Sequence, residues 1–92
     1  MRDRLPEEEI VRRLSGMGEW TRAGESITRT FRFTAFTKAI GFVTRVADLA
    51  ERKDHHPDID IRYDLVSLRL STHSAGGLTA LDFEFAGAVD TL

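Results

Sequence analysis

The sequence contains no cysteine among its 92 residues. This absence excludes a disulfide scaffold, a thiolate metal site and a thiol nucleophile. A run of basic residues is also missing, because the 13 Lys and Arg residues are interspersed with 15 Asp and Glu residues. Direct contact with nucleic acid, which needs a basic patch, is therefore not expected.

Long apolar runs are absent as well. The longest largely apolar stretch, residues 39–50, is interrupted by Arg45 and Asp48 and is too short to span a bilayer. No apolar segment follows the two arginines near the N-terminus, so no secretory signal is predicted. With 41% hydrophobic and 30% charged residues, the composition is typical of a soluble globular domain, and we expect a cytoplasmic location.

The chain has no visible linker or internal repeat, which predicts one domain over residues 1–92. A chain of this length buries only somewhat more than ~60% of the surface that its unfolded form exposes. Association with a second copy would therefore add to its stability.

Three segments show helical signals. Residues 6–18 begin with Pro6 and three glutamates, which favour a helix N-terminus, and end at Gly16 and Gly18. Residues 34–54 carry apolar side chains at helical spacing. The main stripe is Phe36, Ile40, Val43, Ala47 and Ala50, and it is widened by Phe42, Val46 and Leu49. Residues 78–92 form the third segment, with Thr79 as a candidate N-cap.

Two hairpins are predicted between these helices. Residues 19–33 break at Ala23–Glu25, and residues 59–73 alternate twice between apolar and polar positions. The resulting order is α-β-β-α-β-β-α. It predicts an α+β fold in which helices pack on one face of a four-stranded antiparallel sheet.

All three histidines lie at the two ends of the second hairpin, as His55, His56 and His73. A two-residue loop at Asp64–Leu65 would place His56 opposite His73, and a turn centred on Asp64 would place His55 there instead. Opposed side chains on paired strands have Cβ atoms about 4.5–5.5 Å apart. Either register therefore predicts that the three imidazoles lie close together.

Two carboxylates accompany the histidine pair. Asp54 precedes it directly, and Glu51 lies one helical turn before His55. Carboxylates at these positions could orient an imidazole, whose unperturbed pKa of about 6.5 suits proton transfer near neutrality. The cluster thus predicts a general acid/base site.

Two other interpretations apply to the same histidines. Single histidines are usually structural or solvated, whereas three that converge from distant positions favour a function. Three imidazoles also suit a catalytic zinc ion. Because adjacent histidines rarely aim at one ion, we predict no metal.

The segment Glu51–Pro57, followed by Ser71-Thr72-His73, closely resembles the signature of the pterin-4a-carbinolamine dehydratase family. The likeness runs from about Leu14 to Ala86 and includes Trp20 after the first helix. Ile59 stands where the family usually has an aromatic residue, and Glu19 stands where it usually has glycine.

The resemblance implies a hydro-lyase that removes water from 4a-hydroxytetrahydropterin and gives quinonoid dihydropterin. This step recycles the pterin of aromatic amino acid hydroxylases, with pterin as substrate and no other cofactor. It implies His55 and His73 as the acid/base pair and His56 as a residue that holds the pterin.

By the same resemblance, further residues contact the substrate. Asp54 and Glu51 would orient imidazoles or contact ring nitrogens, and Trp20 would form a wall of the pocket. Residues Ser71, Thr72, His73 and Ser74 would offer hydrogen bonds to the pterin edge. The pattern alone favours Trp20 as a core residue, Glu51 as a solvated one, and Asp82 as a favourable charge near a helix N-terminus.

The resemblance also implies a homodimer or homotetramer, and in some members a protein partner, as a dimerisation cofactor of a homeodomain transcription factor. An alternative function is therefore a non-catalytic pterin-binding or protein-interaction module. The intact set of three histidines favours the enzyme.

Overall fold

The structure, a computed structural model, describes residues 3–92. Its elements in chain order are α1 (Glu7–Ser15), β1 (Thr21–Ala23), β2 (Ser26–Arg32), α2 (Phe36–Lys53), β3 (Asp58–Arg62), β4 (Leu65–Leu70), a 3-10 turn (His73–Ala75) and α3 (Ala80–Val89). The predicted order of helices and strands is confirmed. The structure adds the 3-10 turn, which carries His73.

The four strands form one antiparallel sheet in the order β1-β2-β4-β3. Alternate residues of the two central strands are fully buried and face the helices: Ile27, Val66, Leu68 and Leu70. Residues of α1, α2 and α3 join them in one apolar core, which also contains Trp20. The predicted packing of helices on one face of the sheet is confirmed. Within residues 3–92, no helix has the length and apolarity that crossing a membrane requires.

Helix α2 buries a different stripe from the one predicted as its main apolar face. The buried residues are Ala39, Phe42, Val46, Leu49 and Ala50. Phe36 and Ile40, which begin the predicted main stripe, are 47% and 37% exposed, so the sheet does not cover that part of the stripe. The apolar residues of this helix cover more than one face, and the sheet is wide enough to cover only one of them.

The β3–β4 hairpin turns one residue earlier than predicted. Arg62 pairs with Leu65, and Asp58 pairs with Arg69, which leaves Tyr63–Asp64 as the loop. Both predicted registers are therefore wrong by one or two residues. Tyr63 adopts a left-handed backbone conformation with φ of 56°, which is uncommon for residues other than glycine and has no signal in the sequence.

Candidate active site

The histidine pair lies immediately after α2. Asp54 ends this helix in a left-handed conformation (φ 50°) and donates its N–H to Ala50, whose carbonyl also accepts the N–H of His55 at 3.2 Å. The chain then extends through Pro57 into β3. This tight turn buries the His55 side chain to 10% exposure and leaves that of His56 57% exposed.

The structure brings all three histidines to one cleft of about 310 Å³, close to the lower limit of typical ligand pockets. Its lining residues come from the end of α2, the segment after β4 and the first turn of α3. They are Asp54, His55, His56, Ser71, Thr72, His73, Ser74 and Leu81. Seven of these eight residues are among the predicted site residues. They lie together in the structure although the predicted strand register was wrong.

The side chain of His55 is hydrogen-bonded to Asp82 of α3. The Nε2 atom of the ring lies 2.7 Å from Asp82 Oδ1, and the Asp82 side chain is fully buried. The second carboxylate oxygen, Oδ2, accepts hydrogen bonds from Thr72 Oγ1 at 2.8 Å and from the backbone N–H of Thr79 at 2.9 Å. The buried carboxylate is thus paired on both oxygens, as a charge removed from water requires.

This arrangement selects one tautomer of His55. An ionised carboxylate only accepts hydrogen bonds, so Nε2 carries the hydrogen and Nδ1 keeps its lone pair. The chain of donors continues beyond Asp82, since Thr72 Oγ1 also lies 2.8 Å from Thr79 Oγ1, which accepts from the N–H of Leu81. The ring of His55 is therefore fixed in orientation and left with one free basic nitrogen.

Asp82 is the functional residue that the sequence did not identify as part of the site. It was predicted only as a favourable charge near a helix N-terminus. In the structure it occupies the third helical position of a capping box with Thr79, a role for which the spacing Thr-x-x-Asp is a visible signal. Its bond to His55 spans 27 residues of sequence, which no local pattern reveals.

The remaining two histidines are more open. His56 Nε2 lies 2.6 Å from Glu51 Oε2, and the Glu51 side chain is 77% exposed. Glu51, which was predicted to orient an imidazole or contact a ring nitrogen, lies against His56. His73 opens the 3-10 turn and is exposed at the cleft.

Trp20 is not brought to this cleft. Its side chain is 2% exposed within the core, and its indole N–H donates to both carboxylate oxygens of Asp90, at 2.9 and 3.1 Å. Asp90 also accepts from Arg29 at 2.9 Å. The structure places Trp20 as a core residue, which was the interpretation that its sequence pattern favoured.

His55 also borders a second cavity of about 230 Å³, together with Lys53, Leu81 and Glu84. His55 and Leu81 therefore line both cavities. In the range 3–92, no three His, Asp or Glu side chains converge closely enough to hold a metal ion.

The family model described as pterin 4 alpha carbinolamine dehydratase matches residues 3–92. A relative from Chloroflexus aurantiacus, whose name assigns it provisionally to the pterin-4-alpha-carbinolamine dehydratases, is 53% identical over 89 residues. The match covers 97% of this chain and 96% of the relative. A relative from Roseiflexus sp. (strain RS-1) with the same provisional name is 50% identical, with 100% and 99% covered.

Two solved structures are also similar. The transcriptional coactivator/pterin dehydratase of Brucella melitensis superposes with a TM-score of 0.92 at 37% identity, over 97% of each chain. A pterin dehydratase-like protein described as a RuBisCO assembly factor of the alpha-carboxysome has a TM-score of 0.68 at 24% identity. That match covers 79% of this chain and 87% of the other, and it shows the shared fold alone.

Proposed function

This chain belongs to the pterin 4 alpha carbinolamine dehydratase family, and from that premise we propose that it dehydrates 4a-hydroxytetrahydropterin to quinonoid dihydropterin. The observation that carries the proposal is the hydrogen bond between His55 and the buried Asp82 at the cleft that also holds His56 and His73. A fixed imidazole with one free nitrogen beside a second, exposed imidazole is the arrangement that proton transfer at two substrate atoms requires.

The reaction breaks the bond between C4a and its hydroxyl and removes the proton from the adjacent N5. The electron pair of the N5–H bond forms the C4a=N5 double bond, and the hydroxyl leaves as water after taking up a proton. The overall change consumes no oxidant or reductant. One acid and one base suffice, and positioned groups of this kind typically contribute ~10²–10⁴-fold in rate.

We assign this acid and base to His55 and His73 as a pair. The buried carboxylate of Asp82 stabilises the charge that the His55 ring acquires when it takes up a proton, which is the role of the aspartate in a catalytic triad. His56 and Asp54 contact the pterin, with Glu51 orienting the His56 ring.

Hydrogen-bonding groups beside the two rings support a planar heterocyclic substrate. The hydroxyls and backbone of Ser71, Thr72 and Ser74 line the same cleft as the histidines, although Thr72 Oγ1 is already committed to Asp82. The Ser71 hydroxyl likewise donates to the carbonyl of Glu25 at 2.8 Å and can only accept from a ligand. Ser74 is therefore the hydroxyl that we assign as a donor to the pterin edge.

The test is the decay of 4a-hydroxytetrahydropterin, generated by a hydroxylase and followed by ultraviolet stopped flow. The wild-type protein should increase the decay rate in proportion to its concentration. A decay no faster than the spontaneous one at micromolar protein would contradict the enzymatic function.

A second candidate function is a non-catalytic pterin-binding or interaction module. The similarity to a protein titled a transcriptional coactivator/pterin dehydratase supports it. The two functions separate on one substitution: His73→Ala should abolish turnover, whereas a module that only binds a protein partner should keep its partner.

We further propose that the chain associates with a second copy through β3. This edge strand is exposed along its whole length, and Ile59 and Ile61 are 38% and 39% exposed beside the open apolar side chains of α2. An antiparallel pairing of two β3 strands would bring the acidic first half of each strand, with Asp58 and Asp60, towards Arg62 of the other. The same pairing would bury the isoleucines of both copies.

Ile61→Lys should therefore weaken self-association about 100-fold or more, because two ammonium groups would be forced into an apolar contact. Analytical ultracentrifugation over a concentration series measures the effect. The matched control is Val11→Lys, which changes an apolar residue of 59% exposure on α1. Unchanged association of Ile61→Lys would rule out the β3 interface.

A further inference from the structure

The loop that carries His73 is closed at its base by the backbone. Thr72 N donates to Gly77 O at 3.0 Å, and Gly77 N donates to Thr72 O at 3.3 Å. Between these two residues the chain forms the 3-10 turn and a left-handed Gly76 with φ of 72°. His73 therefore stands on a short, closed loop whose position determines where its ring lies in the cleft.

Two segments distant in sequence brace the ends of this loop. Ser71 Oγ donates to the carbonyl of Glu25, in the β1–β2 turn, at 2.8 Å. On the other side, the N–H of Leu5 donates to the carbonyl of Leu78 at 2.8 Å, which ties the segment before α1 to the loop. The loop is thus anchored to the first hairpin and to the N-terminal segment, neither of which lines the cleft.

An ion pair between Arg4 and Glu25 links the segment before α1 to the β1–β2 turn. This pair lies directly over Gly77, because a Cβ added there would be 2.7 Å from both Arg4 Nε and Glu25 Oε2. Gly77 itself is buried, although both charged side chains are about half exposed. A side chain at position 77 would therefore displace the ends of Arg4 and Glu25.

We propose that Arg4 and Glu25 are positioning residues, which hold the His73 loop in place through Gly77. The expected effect on turnover rests on the proposed dehydratase function. The contacts of Arg4 and Glu25 with the His73 loop do not depend on that function. An exposed ion pair adds little to the global stability of a protein. Its loss should therefore act on the local order of the loop, and through it on His73, more than on folding.

Hydrogen exchange measured by NMR on the full chain tests the brace without any substrate. Arg4→Gln should accelerate exchange of the Ala75, Gly76 and Gly77 amides by about two- to fivefold relative to wild type, the range that the loss of an exposed ion pair allows for a local opening that does not unfold the domain. The control is Arg52→Gln, which removes another exposed ion pair, with Asp48 on α2. Unchanged exchange of these three amides in Arg4→Gln would overturn the proposal.

Turnover gives the second measurement. Arg4→Gln should lower kcat by about tenfold, since misplacing a reacting group by a fraction of an ångström is costly. Glu25→Gln should do the same, and the double variant should be no worse than either single one. Gly77→Ala should lower kcat by a similar factor, because the added Cβ would displace the side chains of Arg4 and Glu25. Faster exchange with an unaltered kcat would overturn the positioning role.

The two proposals fail in different ways. If wild-type protein shows no dehydratase activity but Arg4→Gln still loosens the loop, the proposed function is wrong and the brace stands. If wild-type protein is active and Arg4→Gln changes neither exchange nor kcat, the brace is wrong and the function stands.

Discussion

Asp82→Asn should lower kcat by roughly 10²–10⁴-fold, the range expected when general acid/base catalysis is removed. The asparagine side chain keeps the size of the aspartate but presents an amide NH2 in place of one oxygen. That NH2 would face either the Nε2–H of His55 or the donors of Thr72 and Thr79, so at least one donor loses its acceptor. The ring of His55 would then turn or change tautomer, and its charged form would lose its counter-ion.

The same substitution should reduce the free energy of unfolding by about 1–3 kcal/mol, the cost of an unsatisfied buried group. The matched control is Asp90→Asn, at the C-cap of the same helix, which alters contacts to Trp20 and Arg29 away from the cleft. Comparing kcat for both variants at a temperature where both are folded isolates the effect on chemistry. If Asp82→Asn kept wild-type kcat, the fixed His55 tautomer would have no part in catalysis.

Phe85→Ala should destabilise the protein by about 3–5 kcal/mol, as expected for removal of a buried aromatic side chain. Phe85 is fully buried on α3, and its ring lies edge-on to that of His55 with 6.1 Å between centroids. Domains of this size have total stabilities of roughly 5–14 kcal/mol, so the loss would be a large part of the total. Urea denaturation followed by tryptophan fluorescence measures it.

Phe36→Ala is the control for Phe85→Ala, because Phe36 lies 47% exposed on α2 and stacks on the exposed ring of Tyr63. Its removal from a monomer should cost less than about 1 kcal/mol. Equal decreases in the free energy of unfolding for the two variants would contradict the burial of Phe85 and the exposure of Phe36 in the structure.

Periodicity and capping signals in the sequence were sufficient to predict the order of elements. The apolar alternation of Val66, Leu68 and Leu70 identified the central strand, and Thr79 identified the start of α3. The strand register was not predictable, because the loop contains Tyr63 in a conformation that favours glycine. For α2, periodicity showed that apolar residues were abundant but not which of them the sheet would cover.

The candidate site was predictable where its residues are adjacent in sequence or flank one hairpin. His55, His56 and His73 converge even though the predicted register was wrong, because the start of β3 and the end of β4 lie side by side at the open end of the hairpin. Asp82 was missed as a site residue because its partner is set by the packing of α3 against the end of α2. Predicting a side-chain contact between distant elements requires knowledge of the fold. The sequence shows only that an acidic residue lies near the N-terminus of a helix.

The most direct test of the account compares His55→Ala, His73→Ala and His56→Ala in the stopped-flow decay of 4a-hydroxytetrahydropterin. Circular dichroism and ultracentrifugation establish that each variant keeps its fold and association. The account predicts that His55→Ala and His73→Ala each bring the decay close to the spontaneous rate, whereas His56→Ala mainly raises KM. Wild-type rates in His55→Ala and His73→Ala, with fold and association intact, would contradict catalysis by this pair of histidines.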